Sequence, residues 1–495
     1  MPSILGPSLL NLAATFVSLA AGFLVSIVNA RLLGPAGSGA VAYAMWLVIC
    51  ASTIAGRGLP QTVLRSVAAF GEGDEAWRPL VRRAFSLFLR GLGPILLLFL
   101  GYALYRWQAN GHAPWVWIAT ALLFPAYALS AFSIAVAHGR GLFRAAAEAT
   151  AAGSVLQVPL VFLGAWLIGP AGALLGMLAR YLPQALCLTR YVERTPKSDP
   201  AALTPDMRRY GRSIWTSDMI EVVLLMRIEY LILGYFLTDA SVGYFAAAIV
   251  FAGLVTQLTL QLAPAFLVGL SPAEAAPEER EAVYRNAMRL TALLVMPLSA
   301  GGAAIAPQLV PLVFGRSFEP AANAAALFLL AALPAGLAVV PWAYLAAREQ
   351  GRTLLRLTLV SALFLIGALT VVVPLAGVPG AALTRIVAET FALTLLLRAA
   401  GAHGGPALPW GALTRTFVAS AACGASAFAI SSAMPGLGGI LLAVPAGVLV
   451  FLVAVRLLGL FDAGEVERFM QAAEGRLPAG VQSLARRLAG VITPR

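Results

Sequence analysis

Apolar runs of about 20 residues with few charged side chains recur along the whole of this 495-residue chain. An α-helix of that length can cross the ~30 Å hydrocarbon core of a bilayer. The composition agrees, because 60% of the residues are hydrophobic and only 11% are charged, against ~25% charged in a soluble domain. Backbone at membrane depth must satisfy its own hydrogen bonds, which favours helices. The sequence therefore predicts an all-α, polytopic membrane protein.

The apolar runs predict about 14 transmembrane helices. They lie at residues 8–31, 38–60, 84–105, 114–137, 145–167, 170–190, 213–236, 240–268, 287–314, 320–346, 353–374, 379–399, 414–434 and 437–459. Tight turns rich in Gly and Pro are predicted to join several neighbouring spans, at Gly34-Pro35, Gly169-Pro170, Val378-Pro379-Gly380 and Pro435-Gly436. Spans are numbered below in this order.

The distribution of Lys and Arg supports this span count. Twenty of these residues fall in the joints after even-numbered spans, and only three fall in the joints after odd-numbered spans. Because an excess of Lys and Arg marks the cytoplasmic side, the even joints and both termini are predicted to be cytoplasmic. The formal net charge of +12 is then explained by topology and by attraction to anionic membrane lipids. It does not indicate a nucleic-acid partner.

Internal repeats divide the chain into two similar parts. Segments 30–39 and 234–243 resemble each other, and the pairs Gly39/Gly243 and Pro60/Pro264 are both 204 positions apart. Two further pairs of segments are similar, 139–144 with 351–356 and 169–173 with 377–381. Because six spans separate the copies, the repeats are predicted to be parallel six-helix bundles around a central cavity, with two extra C-terminal helices.

The predicted domains follow from these repeats. They are an N-terminal lobe (1–192), a cytoplasmic inter-lobe loop (193–212), a C-terminal lobe (213–400), accessory spans (401–460) and a cytoplasmic amphipathic tail (461–495). Segment 271–285 is predicted to form a short cytoplasmic helix, and 463–488 a broken amphipathic helix on the membrane surface. Solvated connectors would also explain these two segments and the inter-lobe loop 193–212. The three cysteines, Cys50, Cys187 and Cys423, lie in or beside apolar spans and predict neither disulfides nor a metal site or cofactor.

Charged residues inside the spans are the candidate functional residues. Each costs about 2.5–3.5 kcal/mol to insert near the bilayer centre, so it is expected to face a wet cavity or a partner. Span 7 is the densest, with Asp218, Glu221, Arg227 and Glu229. On one continuous helix the three carboxylates would share a stripe about 80° wide, with Arg227 on the opposite face. A structural ion pair also explains Arg227 and Glu229, and snorkelling near a span end also explains Asp218 and Glu221.

Two further basic residues join this set. Arg385 and Glu389 lie one helical turn apart in span 12 and are placed to pair with each other. Arg57 lies just before Pro60 in span 2. For these residues the sequence leaves a functional and a structural role equally open.

Several motifs resemble those of a known family. They are Ala30-Arg-Leu-Leu-Gly-Pro-Ala-Gly-Ser-Gly39 with Gly58-Leu-Pro-Gln61, Arg227-Ile-Glu-Tyr-Leu-Ile-Leu-Gly-Tyr-Phe-Leu237 with Val242-Gly-Tyr-Phe-Ala246, and Pro311-Leu-Val-Phe-Gly-Arg-Ser-Phe-Glu-Pro-Ala321. Their order and spacing resemble the Wzx-type O-antigen and exopolysaccharide flippases of the multidrug/oligosaccharidyl-lipid/polysaccharide (MOP) exporter superfamily. The resemblance covers roughly residues 8–400.

The resemblance implies a substrate and a mechanism. Such flippases move an undecaprenyl-pyrophosphate-linked oligosaccharide across the bacterial inner membrane by alternating access, with polysaccharide polymerase or assembly proteins as further partners. Arginine binds phosphate bidentately, so Arg57, Arg227 and Arg385 would bind the pyrophosphate. Glu229, Glu389, Asp218 and Glu221 would bind a coupling H⁺ or Na⁺. The family more often has Asp at the position of Glu229. Glutamate keeps the carboxylate but places it on a longer side chain.

Other classes of protein fit the sequence less well. A membrane glycosyltransferase or polymerase would need a large extracytoplasmic loop with catalytic acids or His, and the odd joints here are short, so no enzyme is predicted. A scaffold would not need charged spans. A multidrug exporter usually has twelve spans and an acid in span 1, where this chain has Asn29 and no acid. A peptidoglycan lipid-precursor flippase also has fourteen spans and remains the alternative.

Overall fold

The computed structural model describes residues 5–70, 77–110, 114–192, 203–263, 266–267, 270 and 277–460. Regular structure within these residues is helical. The helices are α1 (Leu5–Gly56), α2 (Leu59–Val67), α3 (Trp77–Asn110), α4 (Trp115–Gly139), α5 (Phe143–Ile168), α6 (Pro170–Tyr191), α7 (Pro205–Asp218), α8 (Glu229–Phe236), α9 (Asp239–Leu260), α10 (Pro277–Phe314), α11 (Ala322–Ala347), α12 (Gly351–Ala402), α13 (Trp410–Ala433) and α14 (Leu437–Leu457). A π-helical segment, Met219–Leu225, follows α7, and a 3₁₀ turn, Arg316–Ala321, precedes α11.

Within the described residues, 11 helices are long and apolar enough to cross a membrane. Two of them, α1 and α12, have 52 residues each, or about 78 Å of helix, which is more than twice the ~30 Å hydrocarbon core. Each is interrupted by a glycine with positive φ, at Gly34 (67°) and Gly377 (59°). Each therefore supplies two of the predicted spans, and the interrupted segment 205–236 supplies one more. The predicted fold class of about 14 transmembrane helices is confirmed.

The predicted turns at Gly34, Gly169 and Gly436 are confirmed by backbone geometry, and the fourth break falls at Gly377, directly before the predicted Val378-Pro379-Gly380. Gly34 and Gly169 each have positive φ and precede a proline, and Gly436 has φ 104°. Glycine adopts this left-handed region without the steric cost that a Cβ imposes. Proline after the glycine suits the first helical turn, where its missing N–H would have no partner.

The chain divides into two compact units, Met1–Ala246 and Ala247–Arg495. The core of the first contains fully buried aromatic rings, including Phe88 and Phe132, whose centroids lie 4.9 Å apart. The core of the second includes the edge-to-face pair Tyr284 and Tyr344, from α10 and α11. The predicted five-part domain division stays a prediction.

The first unit has two ends of different character. At the charge-poor end, which contains the turns at Gly34 and Gly169, Gly37 approaches Pro170. At the basic end, Arg140 lies over the ring of Trp77 (5.1 Å), and other arginines surround the ends of the same helices.

Two predictions about individual segments need revision. Residues from Pro277 do not form a separate short helix, because α10 continues without interruption to Phe314. Span 7 is not one continuous helix, as described below. Residues 193–202 of the inter-lobe loop, 271–276 and the tail from 461 lie outside the described residues.

Candidate functional site

The span-7 segment is interrupted at its centre. After α7 the chain enters the π-helical segment, where the Met226 N–H donates to the Glu221 carbonyl at 2.7 Å, five residues back. Regular helix resumes at Glu229. The prediction of a single carboxylate stripe was wrong, because a constant 100° per residue does not carry across a π segment and a break. Such π segments occur frequently at functional sites.

The second leg of α1, residues 35–56, packs antiparallel to this interrupted segment. The Trp215 indole N–H donates to the Thr53 carbonyl at 3.1 Å, and the Trp46 indole N–H donates to the Met226 carbonyl at 3.2 Å. The second bond satisfies a carbonyl at the break, where lipid offers no replacement donor. Trp46 lies midway along its leg, roughly 16 Å from either end. The break therefore lies level with the middle of this predicted span.

Glycines allow close backbone contact at the charge-poor end of this helix pair. A Cβ on Gly39 would lie 1.9 Å from the Asp239 carbonyl oxygen, and a Cβ on Gly243 would lie 1.9 Å from the Pro35 carbonyl oxygen. Gly39 and Gly243, like Pro35 and Asp239, are 204 positions apart. The two close approaches therefore involve positions that correspond in the sequence repeat, and the predicted arrangement of the two repeats stays a prediction.

Two of the three predicted phosphate ligands have left-handed backbone conformations. In the described part of the chain, the non-glycine residues with positive φ are Arg57 (49°), Arg227 (70°) and Glu349 (58°). Strain of this kind costs about 1–3 kcal/mol and clusters at functional sites. Arg57 is exposed between α1 and α2. Arg227 is half-buried, and its Nη1 donates to the Tyr230 hydroxyl at 3.2 Å.

The two arginines lie at different depths. Arg57 follows the last residue of α1 at the basic end, whereas Arg227 follows Met226, which is bound by Trp46. Along α1, Trp46 and Arg57 are separated by about three helical turns, roughly 16 Å. The structure therefore does not bring Arg57 and Arg227 together at one phosphate-sized site.

The acidic residues of span 7 have different surroundings. Glu229 is fully buried in the first turn of α8, where the helix dipole favours a negative charge. Asp218 is half-buried at the end of α7, and Glu221 is exposed in the π segment. Of the three, only Glu229 is buried, and the roles of these acids stay a prediction.

The predicted pair in span 12 is present. Arg385 Nη1 lies 3.5 Å from Glu389 Oε1 in the second leg of α12, and the two side chains are 14% and 28% exposed. The pair belongs to the second compact unit. The sequence expectation that these residues pair is confirmed, and their role in transport stays a prediction.

A cavity of about 810 Å³ lies at the charge-poor end of the first unit. Its lining comes from the second leg of α1, the end of α3, the start of α4 and the start of α9, and it includes Tyr43, Tyr102, Arg106, Trp117 and Asp239. None of the predicted site residues lines it. Arg106 and Asp239 lie at the ends of predicted spans, so the cluster of charged and aromatic residues at these span ends was the missed signal.

Among the residues that the structure describes, no group of three or more His, Cys, Asp or Glu side chains is placed to hold a metal ion.

Comparison with known proteins identifies the family. The family model for polysaccharide biosynthesis proteins matches residues 28–323, more than half of the chain. No curated protein sequence matches significantly.

The fold is shared with solved transporters. The lipid II flippase MurJ in an inward closed conformation superposes with a TM-score of 0.72 at 12% identity, covering 91% of this chain and 99% of that one. An inward-facing multidrug resistance MATE family transporter gives 0.63 at 16% identity, covering 80% and 97%. A MOP superfamily transporter from Pyrococcus furiosus gives 0.51 at 17% identity, covering 80% and 93%. The chain thus belongs to the polysaccharide biosynthesis protein family and has the fold of the MOP superfamily transporters.

Proposed function

We propose that this protein is a flippase that moves an undecaprenyl-pyrophosphate-linked oligosaccharide from the inner to the outer leaflet of the bacterial inner membrane. In this proposal both termini are cytoplasmic, as the Lys and Arg distribution predicts. The observation that carries the proposal is Arg227, held with a left-handed backbone (φ 70°) at the mid-membrane break in span 7. The polysaccharide biosynthesis family supports a saccharide as cargo.

The chemistry of the headgroup explains why arginines are needed at this depth. A pyrophosphate loses its hydration when it leaves the membrane surface, and a guanidinium replaces that hydration with charge-assisted, bidentate hydrogen bonds. Because Arg57 and Arg227 lie at different levels along α1, they suit two successive binding positions for the headgroup. Arg57 would capture the headgroup at the basic, cytoplasmic end, and Arg227 would hold it at the midpoint.

Cation coupling is proposed to use acids next to these arginines. Glu389 pairs with Arg385, so a pyrophosphate that binds Arg385 would draw the guanidinium away from this carboxylate. A carboxylate that loses its counter-ion in a low-dielectric site favours the uptake of H⁺ or Na⁺. Glu229, buried two residues after Arg227, would respond in the same way. Asp218 and Glu221 would act nearer the cytoplasmic end.

The test is complementation of surface polysaccharide in cells that lack the gene. Arg227→Gly keeps a residue suited to the left-handed backbone and removes the guanidinium, so it isolates charge from strain. We expect export to fall at least tenfold, with wild-type amounts of protein in the membrane, and Glu229→Ala to have the same effect. Arg90→Ala, which removes an exposed arginine of α3, is the matched control and should export normally. Full export by Arg227→Gly would refute the assignment of Arg227.

A peptidoglycan lipid-precursor flippase is the second candidate. It is favoured by the 91% of this chain that superposes on MurJ, and both candidate substrates would present a pyrophosphate to the same arginines. The two functions separate in cells depleted of their own lipid II flippase. Rescue of growth there, without any effect of the gene on surface polysaccharide, would favour this second candidate. A multidrug exporter is disfavoured because a mid-membrane arginine repels cationic drugs.

A further inference from the structure

The cavity at the charge-poor end of the first unit has the chemistry of a sugar site. We propose that it is a saccharide-binding subsite, which holds the first sugars of the cargo while the pyrophosphate is at Arg227. This inference rests on the proposed flippase function and adds the place where the sugar portion is recognised. Its volume of about 810 Å³ is within the ~300–1,000 Å³ of small-molecule sites, which suits a short oligosaccharide.

Aromatic side chains at this end separate into two groups. Tyr105, Trp107 and Trp115 are 63%, 58% and 60% exposed, as expected for the aromatic belt of a membrane interface. Tyr102, which is 40% exposed, and Trp117 line the cavity and contact each other edge to face, with centroids 4.6 Å apart. The second group thus differs from the first in forming part of the cavity wall. The apolar C–H faces of sugar rings pack on such aromatic surfaces.

The charges of the lining select against other ligands. Arg106 and Asp239 both line the cavity and carry opposite charges. Asp239 repels an anionic headgroup, Arg106 repels a cationic drug, and a prenyl chain gains nothing from either. Sugar hydroxyls both donate and accept hydrogen bonds, so a neutral saccharide can use the carboxylate, the guanidinium and the phenol of Tyr43 together.

The cavity is adjacent to the proposed pyrophosphate position. Tyr43 lines it and lies one helical turn from Trp46, with ring centroids 5.7 Å apart. Trp46 in turn binds the Met226 carbonyl, directly before Arg227. A headgroup at Arg227 would therefore place its first sugar roughly one helical turn, about 5 Å, farther toward the charge-poor end. This is where the cavity lies.

Binding to the purified full-length protein tests the inference. The probe is the oligosaccharide released by mild acid from the host cell's own lipid-linked pool, measured by calorimetry beside inorganic pyrophosphate. We expect Trp117→Ala to weaken oligosaccharide binding at least tenfold without changing pyrophosphate binding, and Trp115→Ala to change neither. Arg227→Gly should do the reverse and weaken only pyrophosphate. Asp239→Asn, which preserves side-chain shape, provides a second variant should Trp117→Ala fail to fold, and it too should weaken the oligosaccharide.

The outcomes separate the subsite from the flippase function. The subsite is refuted if Trp117→Ala and Asp239→Asn bind the oligosaccharide as wild type does, or if wild type binds none while Arg227→Gly still abolishes export. If deletion of the gene leaves surface polysaccharide unchanged but Trp117→Ala loses oligosaccharide binding relative to Trp115→Ala, the flippase function fails and the saccharide site stands.

Discussion

Replacing Gly39 by alanine directly tests the close contact between the second leg of α1 and the start of α9. In the structure a Cβ at this position would lie 1.9 Å from the Asp239 carbonyl oxygen. Real Cβ contacts are essentially never shorter than 3.0 Å, so the second leg of α1 and the start of α9 would have to separate by more than 1 Å. The obstacle is backbone, which cannot turn aside as a flexible side chain can.

The expected magnitude combines two opposing terms. Alanine is better than glycine in a helix by about 1 kcal/mol, whereas overpacking of this kind costs about 1–3 kcal/mol. Gly101→Ala in α3 is the matched control, because nothing lies within 4 Å of its Cβ position and only the helix term acts there. The control should be stabilised, and Gly39→Ala should be less stable than the control by about 1–3 kcal/mol.

Thermal unfolding in detergent measures the difference. Cys50 and Cys423 are buried, so a thiol-reactive fluorogenic dye reports their exposure as the protein unfolds. We expect Tm to rise for Gly101→Ala and to be clearly lower for Gly39→Ala than for that control. Gly243→Ala should behave like Gly39→Ala. The double variant should lose less than the two single losses together, because one separation of the helices relieves both overlaps. Equal Tm increases in Gly39→Ala and Gly101→Ala would refute the close contact.

Three further substitutions test other contacts with the same assay. Trp46→Phe keeps an aromatic ring but removes the donor to the Met226 carbonyl, so Tm should fall in line with the ~1–3 kcal/mol cost of an unsatisfied buried acceptor; an unchanged Tm would contradict that bond. Gly58→Ala should be less stable than Gly39→Ala, because φ is 70° and its Cβ would lie 2.1 Å from a backbone oxygen of α7; a Tm above wild type would contradict this packing. Arg385→Ala combined with Glu389→Ala should lose less stability than the sum of the two single losses, and additive losses would contradict their pairing.

Local chemistry explains which features the sequence could predict. The turns at Gly34 and Gly169 depend on glycine's own φ preference and on the proline that follows, so they are readable without tertiary information. The Arg385–Glu389 pair depends only on spacing within one regular helix. Both predictions were confirmed.

The break in span 7 could not be predicted in this way. No Gly or Pro occurs from Arg212 to Leu233, so local propensity favours an unbroken helix. The break leaves the Met226 carbonyl without a helical partner, and the Trp46 indole of α1 supplies a replacement donor for it. A carboxylate stripe calculated for an ideal helix therefore placed Asp218, Glu221 and Glu229 incorrectly relative to one another.

The sequence by itself determined that this protein lies in a lipid bilayer, how many spans it has and which charged residues lie in those spans. Apolar length and charge are properties of the residues alone. Tertiary structure decided the depth of Arg227, the burial of Glu229 and the cavity around Trp117. These depend on which helices approach each other, and that approach is set by contacts such as Gly39 against Asp239, between residues far apart in the chain.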